Sequence, residues 1–212
     1  MTNKQTILVW DMPTRVFHWL LVISFAGAWF TSESERLQMI HYAFGYSAVA
    51  LVLFRLVWGF IGTKYARFSQ FVRGPKEMVE HAKGLLSGHQ HVSPGHNPVG
   101  GIVMVGLMLL ILLIGLTGYW GVKEFLGDFM SEAHEAVASL TLGLVIIHIA
   151  AAVIMSLLQK ENLVQAMLNG KKQGLPEQSI KFPQYLIGGM LALGCLYFFY
   201  LVVSGSLPAL TQ

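Results

Sequence analysis

The chain reads as an all-α integral membrane protein, on three observations. Of 212 residues, 54% are hydrophobic and only 12% are charged, which is outside the range of an ordinary soluble domain. The apolar residues gather into five stretches near 14–31, 39–60, 99–120, 133–157 and 185–206, each close to the ~20 residues that a helix needs to cross a bilayer. The ionisable groups fall mostly between those stretches, with a few histidines, Arg15 at the mouth of the first, Arg55 inside the second and Glu135 at the start of the fourth as the exceptions.

The first stretch opens with Asp11 and Arg15 and shows no small-residue cleavage site, so it is read as a retained span rather than a secretory signal. The connection to the second stretch, around Glu33 to Gln38, is short and makes the two an antiparallel hairpin. The third and fourth stretches are joined in the same way around Gly121 to Ser131. Between the hairpins, the run from Pro75 to Leu86 reads as a short amphipathic helix lying along the interface. It is followed by the turn-rich Pro94-Gly95-His96-Asn97-Pro98. Gly170 to Gly174 and Pro176 mark a linker to the last stretch. The expected architecture is an antiparallel four-helix transmembrane bundle with a fifth, C-terminal transmembrane helix, divided at 1–170 and 171–212.

Charge orients the chain. Lys4, Arg15, Lys64, Arg67, Arg73, Lys76, Lys83, Lys160, Lys171, Lys172 and Lys181 fall on one side, against only Arg36 and Lys123 on the other. By the positive-inside rule the N-terminus is cytoplasmic and, after five spans, the C-terminus is outside. The basic face is a signal of topology and of membrane lipid, not of nucleic-acid binding. The single cysteine, Cys195, excludes a disulfide framework and covalent haem attachment through Cys-x-x-Cys-His.

His18, His41, His134 and His148 lie inside the apolar stretches, where an imidazole is costly unless it is used. His148 follows His134 by fourteen residues, a descent of about 21 Å with a rotation only ~40° short of whole turns, so both face one way. His134 shares the external level of His41, and His148 approaches the level of His18. These pairs, His18 with His148 and His41 with His134, are expected to be the axial ligands of two non-covalent b-type haems. Zinc is the competing metal, but each pair has only Glu135 as a nearby carboxylate and no cysteine. Gly45, one turn after His41, and Gly143 leave room for a flat macrocycle. Arg15, one turn before His18, is expected to meet a haem propionate. His81, His89 and His91 are expected to be solvated.

The motifs Trp10-Asp-Met-Pro-Thr-Arg-Val-Phe-His18-Trp, His41-Tyr-Ala-Phe-Gly45, Arg55-Leu-Val-Trp-Gly59-Phe, Ala66-Arg-Phe, Phe71-Val-Arg-Gly-Pro75, Gly95-His-Asn-Pro98 and His134-Glu with His148 together resemble the prokaryotic cytochrome b561 family, which is similar in turn to the b-type subunits of nickel–iron hydrogenases. The resemblance spans roughly residues 8–170. It implies a pair of haems b on the four histidines and electron transfer across the bacterial inner membrane between quinone and an external redox partner such as a c-type cytochrome. Asp11, Arg15, His96 and Asn97 are the candidate quinone site. Within the same resemblance, a superoxide:quinone oxidoreductase acting alone and a non-redox membrane anchor are the alternatives. Glu33, Glu35, Glu124, Asp128 and Glu132 outweigh Arg36 and Lys123 in the external loops, which disfavours capture of an anion such as superoxide.

Overall fold

A computed structural model describes residues 5–71, 95 and 98–211. The expected interfacial helix at 75–86, His81, His89, His91, His96 and Asn97 lie outside the described residues. Six helices are seen among those that are described: α1 (Met12–Thr31), α2 (Gln38–Ile61), α3 (Pro98–Val122), α4 (Asp128–Gln159), the short α5 (Leu163–Asn169) and α6 (Tyr185–Val203).

Four helical segments, Glu35–Ile61, Val99–Val122, Asp128–Gln159 and Tyr185–Val203, are long and apolar enough to cross a membrane. The first expected span forms a helix of sufficient length, 20 residues, but is not among those four. Thr14, Arg15, His18 and two tryptophans dilute its apolar content.

α1 packs along α2, α3 along α4, and α6 against both α1 and α2. The hairpins meet where Phe17, Ala48, Leu51, Val52, Met108 and Ile111 are buried together. Missing side chains set the approach of the helices. A Cβ on Gly27 would stand 2.5 Å from Phe44 in α2, and one on Gly115 would stand 2.3 Å from Val49, the small-residue contact by which membrane helices come close.

The end that carries the chain's N-terminus is not purely helical. β1 (Gln5–Leu8) pairs antiparallel with β2 (Lys171–Gly174), with Gln5 opposite Gly174 and Leu8 opposite Lys171. The 170–174 stretch is therefore strand as well as linker. Ile7, Val9, Trp10, Tyr65, Ala166 and Ile180 bury one another in a small second core. Gly170 joins the parts: its carbonyl accepts from the backbone N–H of Val9 and Trp10 at 2.8 and 3.0 Å. A Cβ there would meet the Trp10 carbonyl at 2.6 Å, and its φ of +80° suits only glycine.

Asp11 ties this end to the bundle. It is 1% exposed and caps α1, one oxygen accepting from the Thr14 N–H at 2.9 Å. The other accepts from Trp58 Nε1 at 3.0 Å and from the Thr63 hydroxyl at 2.6 Å. Replacing Asp11 by alanine removes a cap and strands two donors, and we expect a cost of about 2–4 kcal/mol. The check is the thermal midpoint in detergent, with Asp11→Asn expected to recover part of the loss.

Candidate haem-binding site

The outer site is a cavity of about 570 Å³ between the two hairpins, lined by residues of α1, α2, α3 and α4 including His41, Gly45, Gly118, Tyr119 and His134. That volume is within the range of cofactor pockets. The His41 and His134 rings face each other with centroids 6.1 Å apart and planes inclined at 74°. A metal held between two imidazole nitrogens at about 2 Å each, with about 1 Å more from each nitrogen to its ring centre, separates the ring centres by roughly 6 Å.

Both rings are held from behind. His41 Nδ1 lies 2.9 Å from the Ala28 carbonyl oxygen, and His134 Nδ1 lies 3.0 Å from that of Ile114. A carbonyl can only accept, so each Nδ1 carries the proton and donates it, and each Nε2 keeps its lone pair. This is the outer-shell contact that fixes the tautomer and orientation of a metal-ligating histidine. Thr117, in the same turn as Ile114, donates its hydroxyl to the Leu113 and Ile114 carbonyls.

Glycines shape the cavity in two ways. Gly45 lines it, and a Cβ there would have no atom within 4 Å, so the missing side chain adds open volume. Gly118 does the opposite: a Cβ would come within 2.9 Å of His134 Nδ1 and 3.0 Å of Cε1, so its absence lets the ring seat against α3. Gly143 also faces open space. Gly118 and the carbonyl acceptors at Ala28 and Ile114 were not apparent from the chain alone, although Gly115 and Gly118, three apart, carry the small-residue signature of a close helix contact.

The other two expected ligands, His18 and His148, lie towards the bundle end that carries β1 and β2, α4 carrying His148 fourteen residues beyond His134. His18 packs edge-on against Trp19, with centroids 5.1 Å apart. Its Nδ1 is buried and has no hydrogen-bond partner among the described residues. A histidine retained for structure alone would use that nitrogen. No group of three or more His, Cys, Asp or Glu side chains converges among the described residues. The two imidazoles of His41 and His134 at the cavity would fit axial ligation of a haem.

Arg15 turns towards α5. Its Nη1 donates to the Leu168 carbonyl and its Nη2 lies 3.2 Å from Met12 Sδ, while Trp19 Nε1 donates to Met167 O at 3.1 Å. Together they satisfy the last carbonyls of α5. Arg15 Nε stays buried without a partner among the described residues. Of the expected quinone cluster, Asp11 has both oxygens engaged as described above, and His96 and Asn97 lie outside the described residues.

The tail after α6 reaches the outer site: the Tyr46 hydroxyl donates to Leu210 O at 2.7 Å, and Thr211 lines the cavity.

The model of the prokaryotic cytochrome b561 family matches residues 9–170. The probable Ni/Fe-hydrogenase 1 B-type cytochrome subunit of Escherichia coli (strain K12) is 25% identical over 144 residues, 55% of this chain and 60% of that protein. The probable Ni/Fe-hydrogenase B-type cytochrome subunit of Rhizobium leguminosarum bv. viciae is 22% identical over 216 residues, 80% of this chain and 90% of that protein. Its counterpart in Bradyrhizobium diazoefficiens is 21% identical over 217 residues, 81% and 87% of the two chains. The chain thus spans 60% of the length of its Escherichia coli relative. No solved structure matches. The match from Val9 to Gly170 takes in both helical hairpins with His18, His41, His134 and His148, and the chain belongs to the prokaryotic cytochrome b561 family of membrane b-type cytochromes, electron-transfer proteins that carry haem b.

Proposed function

We propose that the protein is a dihaem cytochrome b that conducts electrons across the bacterial inner membrane, between the quinone pool and a redox protein outside. The observation that carries this reading is the facing of His41 and His134 at 6.1 Å, each with Nδ1 committed to a helix carbonyl. His18 and His148 form the second ligand pair, deeper along the same bundle. Haem b, when bound, supplies a one-electron iron couple, and the protein supplies ligands, position and electrostatics.

In this reading α1 is the fifth span. It lies antiparallel to α2 from Ala28, opposite His41, to Asp11, opposite Trp58. Five spans put the N-terminus in the cytoplasm, with the basic loops, and the C-terminus in the periplasm. The four helices α1 to α4 hold both haems between them. Residues 1–170 form the haem-binding unit, and 171–212 form a linker and an added helix.

We assign the quinone site to the inner end, around Asp11, Arg15, His96 and Asn97. Asp11 positions Trp58 and Thr63 there, and Arg15 offers the polar edge.

At the outer end Glu33, Glu35, Glu124, Asp128 and Glu132 are all exposed, and Phe125, Leu126 and Phe129 project among them. An acidic rim around apolar residues suits a basic redox protein such as a c-type cytochrome.

Pyridine-haemochrome analysis of purified protein is expected to give two haems b per chain. His41→Ala and His134→Ala should each lose one and the same haem, and His18→Ala and His148→Ala the other. A different grouping, or a colourless folded protein, overturns the reading. In Gly118→Val the added side chain pushes against His134, so the outer haem should be selectively depleted. Gly143→Ala, which meets open space, should keep both. Electron exchange with a basic c-type cytochrome should slow severalfold between low and ~0.15 M ionic strength, as screening shortens the reach of the acidic rim. A Glu33→Gln/Glu124→Gln double variant should start slower and respond less to salt.

A further inference from the structure

Buried polar atoms without a partner are concentrated in one layer of the bundle. Among the described residues these are Thr14 Oγ1, Arg15 Nε, His18 Nδ1, Arg55 Nε and Nη1, and the more distant Ser47 Oγ. Arg55 is the notable member: it is 1% exposed, and its nearest counter-charge among the described residues, Asp11, acts on it beyond ion-pair distance, with both oxygens already engaged elsewhere. Only its Nη2 is engaged, donating to the Ala66 carbonyl at 2.8 Å. The guanidinium carbon sits 5.2 Å above the centre of the Phe68 ring, and Phe68 in turn occupies the space left by Gly59. The cation is thus fixed in a dry place with a ring behind it and two donors free. A buried charge with unused donors costs several kcal/mol unless an anion or acceptor completes it.

Helix register shows what lies beside it. Ala28 stands opposite His41 and Asp11 opposite Trp58, the same seventeen-residue step along α1 and α2. Arg55, three residues short of Trp58, is therefore level with Thr14, three residues beyond Asp11. His18 is one turn further into the bundle, about 6 Å. The same level follows from the other hairpin. His41 and His134 face each other, and α2 and α4 run in the same direction from there. Fourteen residues on, α2 presents Arg55 where α4 presents His148. A fourteen-residue step nearly closes whole turns, so Arg55 keeps the face of α2 that carries His41. Thr14, Arg15 and Arg55 thus offer donors from two helices at the inner rim of the His18–His148 pair.

We propose that Arg55, supported by Thr14 and Arg15, binds a propionate carboxylate of the inner haem and so holds that haem's potential above the value it would have without the cation. This rests on the dihaem reading above. Guanidinium and carboxylate match in geometry and charge. A fixed positive charge favours the ferrous form, which carries one positive charge less.

The experiment is a spectroelectrochemical titration of wild type, Arg55→Gln and Arg55→Lys in detergent, with haem counted in each. Wild type without two haems sinks the dihaem reading itself, before Arg55 is at issue. With two haems, Arg55→Gln is expected to lower one midpoint potential, that of the component missing in His148→Ala, and to leave the other unmoved. Arg55→Lys should shift the same component less. Two unchanged potentials beside a lowered melting temperature would make Arg55 a structural residue and overturn the proposal. If Arg55→Gln does not assemble, His134→Ala, which keeps only the inner pair, is reconstituted with haem b or its dimethyl ester. At least tenfold weaker binding of the ester is expected; equal binding overturns the proposal.

Discussion

The two hydrogen bonds from imidazole to helix carbonyl, His41 to Ala28 and His134 to Ile114, are the contacts on which the outer site depends. In hydrocarbon a ring nitrogen has no water to fall back on, and a helix carbonyl is already engaged along its own helix. A carbonyl can accept a second proton only if a neighbouring helix comes very close. The glycines make that approach possible. Gly27 brings α1 against Phe44 of α2, and Gly118 lets α3 lie against the ring of His134. Each hairpin thus carries its own histidine–carbonyl contact, and both rings line the cavity between the hairpins. That space is where a cofactor would sit.

Much of this was legible in the chain. Counting residues along α1, α2 and α4 pairs the histidines by depth, since helical rise and twist are nearly invariant. Of these pairs, His41 and His134 have rings 6.1 Å apart, centre to centre. Periodicity is a weaker guide at the inner end. The β1–β2 ladder joins residues more than 160 apart through four-residue strands, too short and polar to announce themselves against a linker. Asp11 was weighed as a chemical group, but Asp11-Met-Pro-Thr is also a helix-start pattern with proline early in the first turn, and capping is what the carboxylate does. Arg15 was expected at a haem propionate, yet it and Trp19 donate to carbonyls of α5, about 150 residues away, which no local pattern could supply. Apolarity alone understates α1, because the residues that make it useful also make it polar.

The two ends of the bundle solve different problems. The outer end is shallow and acidic, its site walled by tyrosines, glycines and the tail after α6. The inner end is braced by a second core, a two-stranded sheet and the Asp11 hub. That bracing surrounds the layer where the unused donors of Thr14, Arg15 and Arg55 lie. A guanidinium with unused donors in a dry interior would loosen a protein free to rearrange around it. Here the loop after α2 cannot move away, since Thr63 is tied to Asp11, Tyr65 to Gln178 and Ala66 to Arg55 itself. Rigidity holds the charge in place, and a charge held in place is what tunes a redox centre, because its effect is not averaged away by motion.

The segment after Gly170, beyond the family match, extends this bracing. β2 completes the sheet with β1, Ile180 N–H donates to Leu8 O, and Pro183 O accepts from Met12 N–H at the very start of α1. Gly188 lies against Met12 so closely that a Cβ would stand 2.5 Å from its side chain. α6 then runs along α1 and α2, the hairpin that supplies His18, His41 and Arg55, and the tail after it places the Leu210 carbonyl on the Tyr46 hydroxyl. Among the described residues α6 does not run along α3 and α4 in this way, and both leave much of their apolar surface exposed, as helices facing lipid do. The added helix therefore stiffens one hairpin along its length. The histidines on that hairpin keep their depth and orientation, while α4 presents His134 and His148 from the other hairpin.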